Sequence, residues 1–258
     1  MTKAATSDLA GRLYAGTSGF AYPGWAPRFY PPGVSGSQLL RAYAERLPAV
    51  ELNSTFHRRP SPGVVAAWLA ATADDFRFCP KAQRGSAVRA FTAADPRETL
   101  DWLTPSLAAF GRRLGCVLLS LPTTLRRDDG ALGRVLATWP VELPLALELR
   151  HPSWADDEVF ARLREHRVVL VASDMDDAPE PDLRLTGASL YVRLRRTEYA
   201  PADQRRWAAR LRPFLEAGHD AWVFFRHDED GMSALRAEAL ARLVVAPPAA
   251  PEGWADPG

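Results

Sequence analysis

Hydrophobic and polar positions along the chain follow two rhythms. Short runs rich in valine, leucine and phenylalanine read as strands, and most stretches between them carry apolar residues at helical spacing. The expected strands are Leu13–Ser18, Val50–Asn53, Arg77–Lys81, Cys116–Leu121, Leu145–Arg150, Val168–Asp174, Leu190–Arg195 and Ala221–Arg226. Helices are expected near Ser37–Arg46, Pro62–Ala71, Pro96–Arg113 and Asp129–Thr138. Three more are expected from Asp156 or Asp157 to His166, over Pro201–Glu216 and over Ser233–Leu243. Ser61 before Pro62 is an N-cap followed by proline at the first helical position.

Eight strands alternating with helices predict an α/β fold, a single TIM-barrel-like (β/α)8 domain. The link Met175–Ala188 is irregular, because its prolines and glycine leave little room for a helix. An open doubly wound sheet is the alternative architecture. The expected layout is an N-terminal tail over 1–12, a barrel over 13–245 and a flexible tail over 246–258 that holds Trp254.

Residue parity then locates a site. In a barrel strand alternate residues face the interior and the surrounding helices. The helix-facing set is apolar: Val50 and Leu52; Val117, Leu119 and Leu121; Leu145, Leu147 and Leu149; Leu190, Val192 and Leu194. The opposite set contains Ser18, Glu51, Asn53, Lys81, Ser120, Glu148, Arg150, Asp174, Arg193 and Arg195, towards the C-terminal strand ends where barrel active sites form. Strand eight allows either Phe225 with His227 or Phe224 with Arg226 to face inward.

Composition narrows the classes. The chain has 258 residues, 47% hydrophobic and 24% charged, with a formal net charge of +1. That balance supports neither a general nucleic-acid role nor a membrane-surface role. No run approaches the ~20 apolar residues of a membrane span, and the N-terminus lacks the apolar core of a signal peptide. Cys79 and Cys116 each lie in an apolar run, which predicts reduced, buried thiols and a cytoplasmic location. Lys3 and Lys81 are the only lysines.

The inward set is net basic. Structural ion pairing accounts for any single pair, such as Glu148 with Arg150, but burying so many charges for stability alone is inefficient. The predicted ligand is a small anion, a phosphate or carboxylate, gripped by arginine forks. Glu51, Glu148, Lys81 and Asp174 are the catalytic candidates. Ser18, Tyr22, Trp25, Asn53, Arg150, His151, Arg193, Arg195 and His227 are the binding candidates. Arg150 and Arg193 would hold the anion, Lys81 would stabilise developing charge, and Glu51 or Glu148 would move protons. No cofactor is evident and no metal ligand set is assigned. The rival classes are a non-catalytic nucleotide- or single-stranded nucleic-acid-binding protein, and a metal-dependent hydrolase or isomerase with an ion on Glu148 and Asp174.

The loop after strand one carries Phe20, Tyr22, Trp25, Phe29 and Tyr30 among prolines and glycines. Such a loop either stacks on a ring-bearing ligand or plugs the barrel end.

The segments YAGTSGFAYPGW with RFYP, VELNSTFHRRPSP, DDFRFCPKA, LELRHPSW, VVLVASD, LYVRLR and WVFFRHDEDG, in this order, resemble the YecE-like family, domain of unknown function 72. The resemblance runs from Leu13 to Val244 and implies a TIM barrel without implying an activity. Matching positions are Ser18, Tyr22, Trp25, Tyr30, Glu51, Asn53, Ser54, Thr55, Phe56, Lys81, Glu148, Arg150, His151, Trp154, Asp174 and Arg193. Departures from the family pattern are His57, Ser120-Leu121-Pro122, Arg195-Arg196 and Arg226-His227, all at expected strand ends.

Overall fold

Parallel strands wrap around an apolar interior and are covered by helices on the outside. The structure is a computed structural model that describes residues 9–246. Most of each expected tail, including Trp254, lies outside the described residues. The strands are β1 (Leu13–Ser18), β2 (Ala49–Leu52), β3 (Arg77–Pro80), β4 (Val117–Ser120), β5 (Leu145–Glu148), β6 (Val169–Asp174), β7 (Ser189–Leu194) and β8 (Asp220–Phe225). Their hydrogen-bonded order is β3-β2-β1-β8-β7-β6-β5-β4. Bridges Phe78↔Leu114 and Lys81↔Leu118 join the two end strands and bring the barrel nearly to closure. The open-sheet alternative is therefore set aside.

The helices are α1 (Gln38–Ala44), α2 (Ser54–His57), α3 (Pro62–Ala70), α4 (Arg84–Thr92), α5 (Arg97–Ala108), α6 (Asp129–Thr138), α7 (Asp157–Glu165), α8 (Pro201–Glu216) and α9 (Met232–Val245). Ser61 caps α3 by accepting from the Val64 amide. The sequence reading had no helix at α2 or α4; α4 opens on Arg84-Gly85-Ser86 and is capped by the Gln83 side chain. No α-helix forms in the link between β6 and β7, as expected. No described helix is long and apolar enough to cross a membrane.

Two packing layers follow from parity. Val50, Leu52, Val192 and Leu194 pack outward against helices, as do Val117, Leu119, Leu145 and Leu147 on the other half. The interior holds Tyr14, Cys79, Cys116, Leu118, Tyr191, Trp222 and Phe224 among others. Both cysteines are free and buried there. Tyr14 stacks on Trp222 with centroids 4.1 Å apart. At Gly16 a Cβ would come within 2.1 Å of the Ala49 carbonyl oxygen, so the close approach of β1 to β2 requires glycine. Phe224 faces inward and Phe225 packs outward, which settles the register of β8.

Parity fails at Asp174. Val169 and Val171 face the interior, so Ser173 is the inward residue and Asp174 points to the helix layer. There it pairs with Arg196 at 2.8 Å and accepts from the Tyr199 hydroxyl at 2.9 Å. The run Val168 to Ala172 is apolar at every position, so no alternation marked its faces.

Candidate functional site

Above the apolar interior lies a polar layer built from one residue of each of several strands. Its centre is Arg193 of β7, which is 3% exposed. Nε and Nη2 of Arg193 donate to the two oxygens of Glu51, and Nη1 donates to both oxygens of Glu148 at 2.8 and 3.0 Å. Glu51 also accepts from the Ser18 hydroxyl at 2.7 Å and the Tyr191 hydroxyl at 2.9 Å. Glu148 accepts from the hydroxyls of Ser120 and Ser173. Both carboxylates are almost wholly buried, 0% and 4% exposed, and each is compensated by a bidentate or shared guanidinium and two hydroxyls.

The electrostatics follow from that bonding. Burial acts to raise the Glu148 carboxyl, but Arg193 and the two serine hydroxyls outweigh it and hold the group down at about 2. Glu51 is likewise held below its ordinary value: burial opposes ionisation, and Arg193, Arg195 and Ser18 overcome it. The same carboxylates push Arg193 up against the effect of its own burial. Tyr191 is raised by burial and by the Glu51 charge.

A cavity of about 870 Å³ opens above this layer and runs outward over β2 between α1 and α3. Lys81, Arg193, Arg195 and His227 bound its inner end. Phe20, Tyr22, Phe56, Leu40, Val64 and Trp68 supply its apolar walls. Lys81 follows β3 directly; its amide donates to the Leu52 carbonyl at 3.2 Å and its carbonyl accepts from Thr55 Oγ1 at 2.7 Å. Its Nζ lies 4.2 Å from the centroid of the Phe56 ring. Burial and the Arg193 charge lower Lys81 to about 8, partly opposed by Glu148 and Glu51. His227 is lowered by burial and by Arg195 and Arg226.

The structure brings Ser18, Glu51, Lys81, Glu148, Arg193 and Arg195 together, with Tyr22, Asn53 and His227 at the cavity wall. Tyr22 stacks on His227 across the mouth, centroids 4.9 Å apart and planes within 7°. Three expected binding residues do not join them. The strand of Glu148 ends there, so Arg150 leaves the barrel wall, is exposed, and lines a different depression with His151. His151 Nδ1 accepts from the Ser153 amide and caps the turn Pro152–Trp154. Trp25 is 0% exposed and its indole donates to the Asp228 carbonyl at 2.8 Å. The aromatic loop therefore divides its labour: Trp25, Phe29 and Tyr30 form a plug, while Phe20 and Tyr22 face the cavity. Asp174, the fourth expected catalytic residue, lies behind the wall with Arg196, so it and Glu148 face opposite surfaces of the barrel wall.

Tyr191, Ser173 and the apolar wall from α1 and α3 were absent from the residues expected by sequence. Tyr191 shares the parity of Arg193, which was a usable signal; Trp68 and Val64 lie on α3, whose run PGVVAAWLA is apolar on every face and so marked no cavity side.

Comparison with known proteins agrees with this architecture. The model of the family described as "Protein of unknown function DUF72" matches residues 14–255. The chain belongs to the DUF72 family. The UPF0759 protein YecE of Escherichia coli strain K12 is 31% identical over 143 residues, covering 55% of this chain and 50% of that protein. The UPF0759 protein YunF of Bacillus subtilis is 28% identical over 149 residues, covering 55% and 52%. The matched stretch thus spans about half the length of these curated relatives. A crystal structure of a DUF72 family protein from Thermotoga maritima superposes with TM-score 0.79 at 25% identity, covering 90% of this chain and 99% of that one. Within the family, this chain's barrel mouth carries the Glu51–Arg193–Glu148 triad described above.

Proposed function

We propose that the protein is a barrel enzyme that acts on a small organic anion, a carboxylate or phosphate ester, by acid/base chemistry at the C-terminal barrel mouth. The observation that carries this reading is the pairing state of the cavity's cations. Arg193 is fully engaged by Glu51 and Glu148. Lys81 and Arg195 face the same cavity with no ion-pair partner among the described residues. Two cations without ion-pair partners at the inner end of a largely apolar cavity suit a ligand with an anionic head and an apolar body.

The roles follow from the charge states. Arg195 is the anion anchor, in place of the expected Arg150. Glu51 and Glu148 stay ionised near neutral pH and act as fixed charges that orient Arg193. Lys81, poised near 8, is the group suited to exchange a proton at physiological pH. Phe20, Tyr22 and Phe56 hold the apolar body of the ligand.

Thermal unfolding in the presence of inorganic phosphate, phenyl phosphate, hydrocinnamate and the neutral hydrocinnamyl alcohol tests the reading. A ligand that binds only the folded state stabilises it in proportion to the logarithm of its concentration over Kd. The two aryl anions should raise Tm, the neutral alcohol should not, and Arg195→Gln should abolish the rise. No shift from any of the anions would overturn the proposal.

A second reading, a nucleotide or single-stranded nucleic-acid binder, draws on the stacked Tyr22–His227 pair at the rim. Oligonucleotide binding that weakens steeply with salt would favour it.

A further inference from the structure

We infer that Lys81 is a nucleophilic amine that forms an imine with a carbonyl group of the ligand, so that the substrate class is an aldehyde or ketone carrying an anionic group. The inference rests on the anion reading above and adds the reactive group to it.

Lys81 combines several properties that the chemistry needs. It stands at the C-terminal end of a barrel strand with both backbone polar groups tied to Leu52 and Thr55, which anchors its backbone to β2 and α2. Its side chain, partly buried, lines the cavity beside Phe56 and has no carboxylate partner among the described residues. A lysine kept for ion pairing would sit against Glu51 or Glu148, but Arg193 already occupies both. The charges that act on it are Arg193 and Arg195, which favour the neutral amine, and the arginine-bound Glu51 and Glu148, which oppose them. Desolvation and neighbouring cations both favour the neutral amine, which is the nucleophilic form. At pH 8 roughly half of such an amine is neutral, about a hundredfold more than for an ordinary lysine. Arg195 stands at the same end of the channel to hold the anionic group of a ligand whose carbonyl faces Nζ.

The step balances without an oxidant or reductant. The Nζ lone pair attacks the carbonyl carbon, and the C–O π pair moves to oxygen. That oxygen takes up two protons, both from the original ammonium by way of solvent, and leaves as water. Lysine ammonium plus carbonyl thus become protonated imine plus water, with charge conserved.

Phenylpyruvate and hydrocinnamate separate this inference from the reading beneath it, since both carry a carboxylate and only the first has a keto group. The 258-residue chain is incubated with phenylpyruvate and sodium cyanoborohydride, which delivers hydride to the imine carbon and leaves a stable secondary amine. Peptide mass mapping then locates the adduct. The expected result is a phenylpyruvate adduct on the peptide containing Lys81, with Lys3 unmodified and any adduct on the N-terminal amine counted separately. Lys81→Arg should lose that adduct, and excess hydrocinnamate should protect Lys81 in the parent protein. If hydrocinnamate stabilises the protein but Lys81 takes up label no faster than Lys3, the imine inference is wrong and the anion reading stands. If Lys81 is labelled but no anion stabilises or protects, the anion reading is wrong and the amine's reactivity stands. Mapping in the parent protein decides the matter even if the arginine variant fails to fold.

Discussion

Arg193 meets Glu51 as a fork, its Nε and Nη2 lying 3.0 and 2.8 Å from the two carboxylate oxygens. The pair joins β7 to β2, strands that share no hydrogen-bonded edge. Because the remaining nitrogen of the fork engages Glu148, one guanidinium neutralises two buried carboxylates and ties three strands together.

Removing that guanidinium leaves both buried carboxylates without the cation that is hydrogen-bonded to them. Arg193→Met should destabilise the fold by about 3–5 kcal/mol, measured by urea denaturation at pH 7. The variant should regain stability as pH falls, because its carboxyls then fold more readily in the protonated state.

The parent protein should do the reverse in acid. Glu148 is held at about 2 against an ordinary 4.5, so its folded value lies below its unfolded one. Its contribution is present above pH 4.5 and is lost as pH drops towards 2. The gap corresponds to about 3 kcal/mol. Denaturant titrations across that window should show a shallower loss for Glu148→Gln than for the parent.

Lys81 has linkage of the same sign at higher pH, but here what rising pH removes is the cost of a partly buried charge. Its folded value of about 8 lies below the ordinary 10.5, so the unfolded chain binds more protons between those values and stability rises with pH there. Lys81→Met should remove that rise and leave Tm at pH 7 unchanged or higher. A Tm that still climbs equally between pH 8 and 10.5 would contradict the placement of Lys81 in a partly desolvated channel.

The aromatic plug and the cavity wall should separate by mutation. Trp25→Ala should cost about 3–5 kcal/mol, since a wholly buried ring is lost. Trp25→Phe should weaken stability through the lost bond to the Asp228 carbonyl, yet leave hydrocinnamate binding intact. Tyr22→Ala should weaken that binding, read by isothermal titration calorimetry.

Much of the site was legible before the fold was known. Glu51, Glu148 and Arg193 each sit between apolar neighbours that face the other way, and that contrast marks them as inward. Where contrast was missing the reading failed: Asp174 follows a run that is apolar on both faces. Arg150 failed for another reason, since a strand end is set by where pairing stops, and β5 stops at Glu148.

Eight strand runs alternating with helices predicted the barrel, and period-two alternation within them set the apolar outer faces of β2, β4, β5 and β7 and the polar set at one end, because side-chain direction in a strand alternates with sequence position. Only the tertiary structure decided which charges cancel. Arg193 reaches Glu51 and Glu148 because closure brings three distant strands around one axis, and that engagement is what leaves Lys81 and Arg195 unpaired at the cavity.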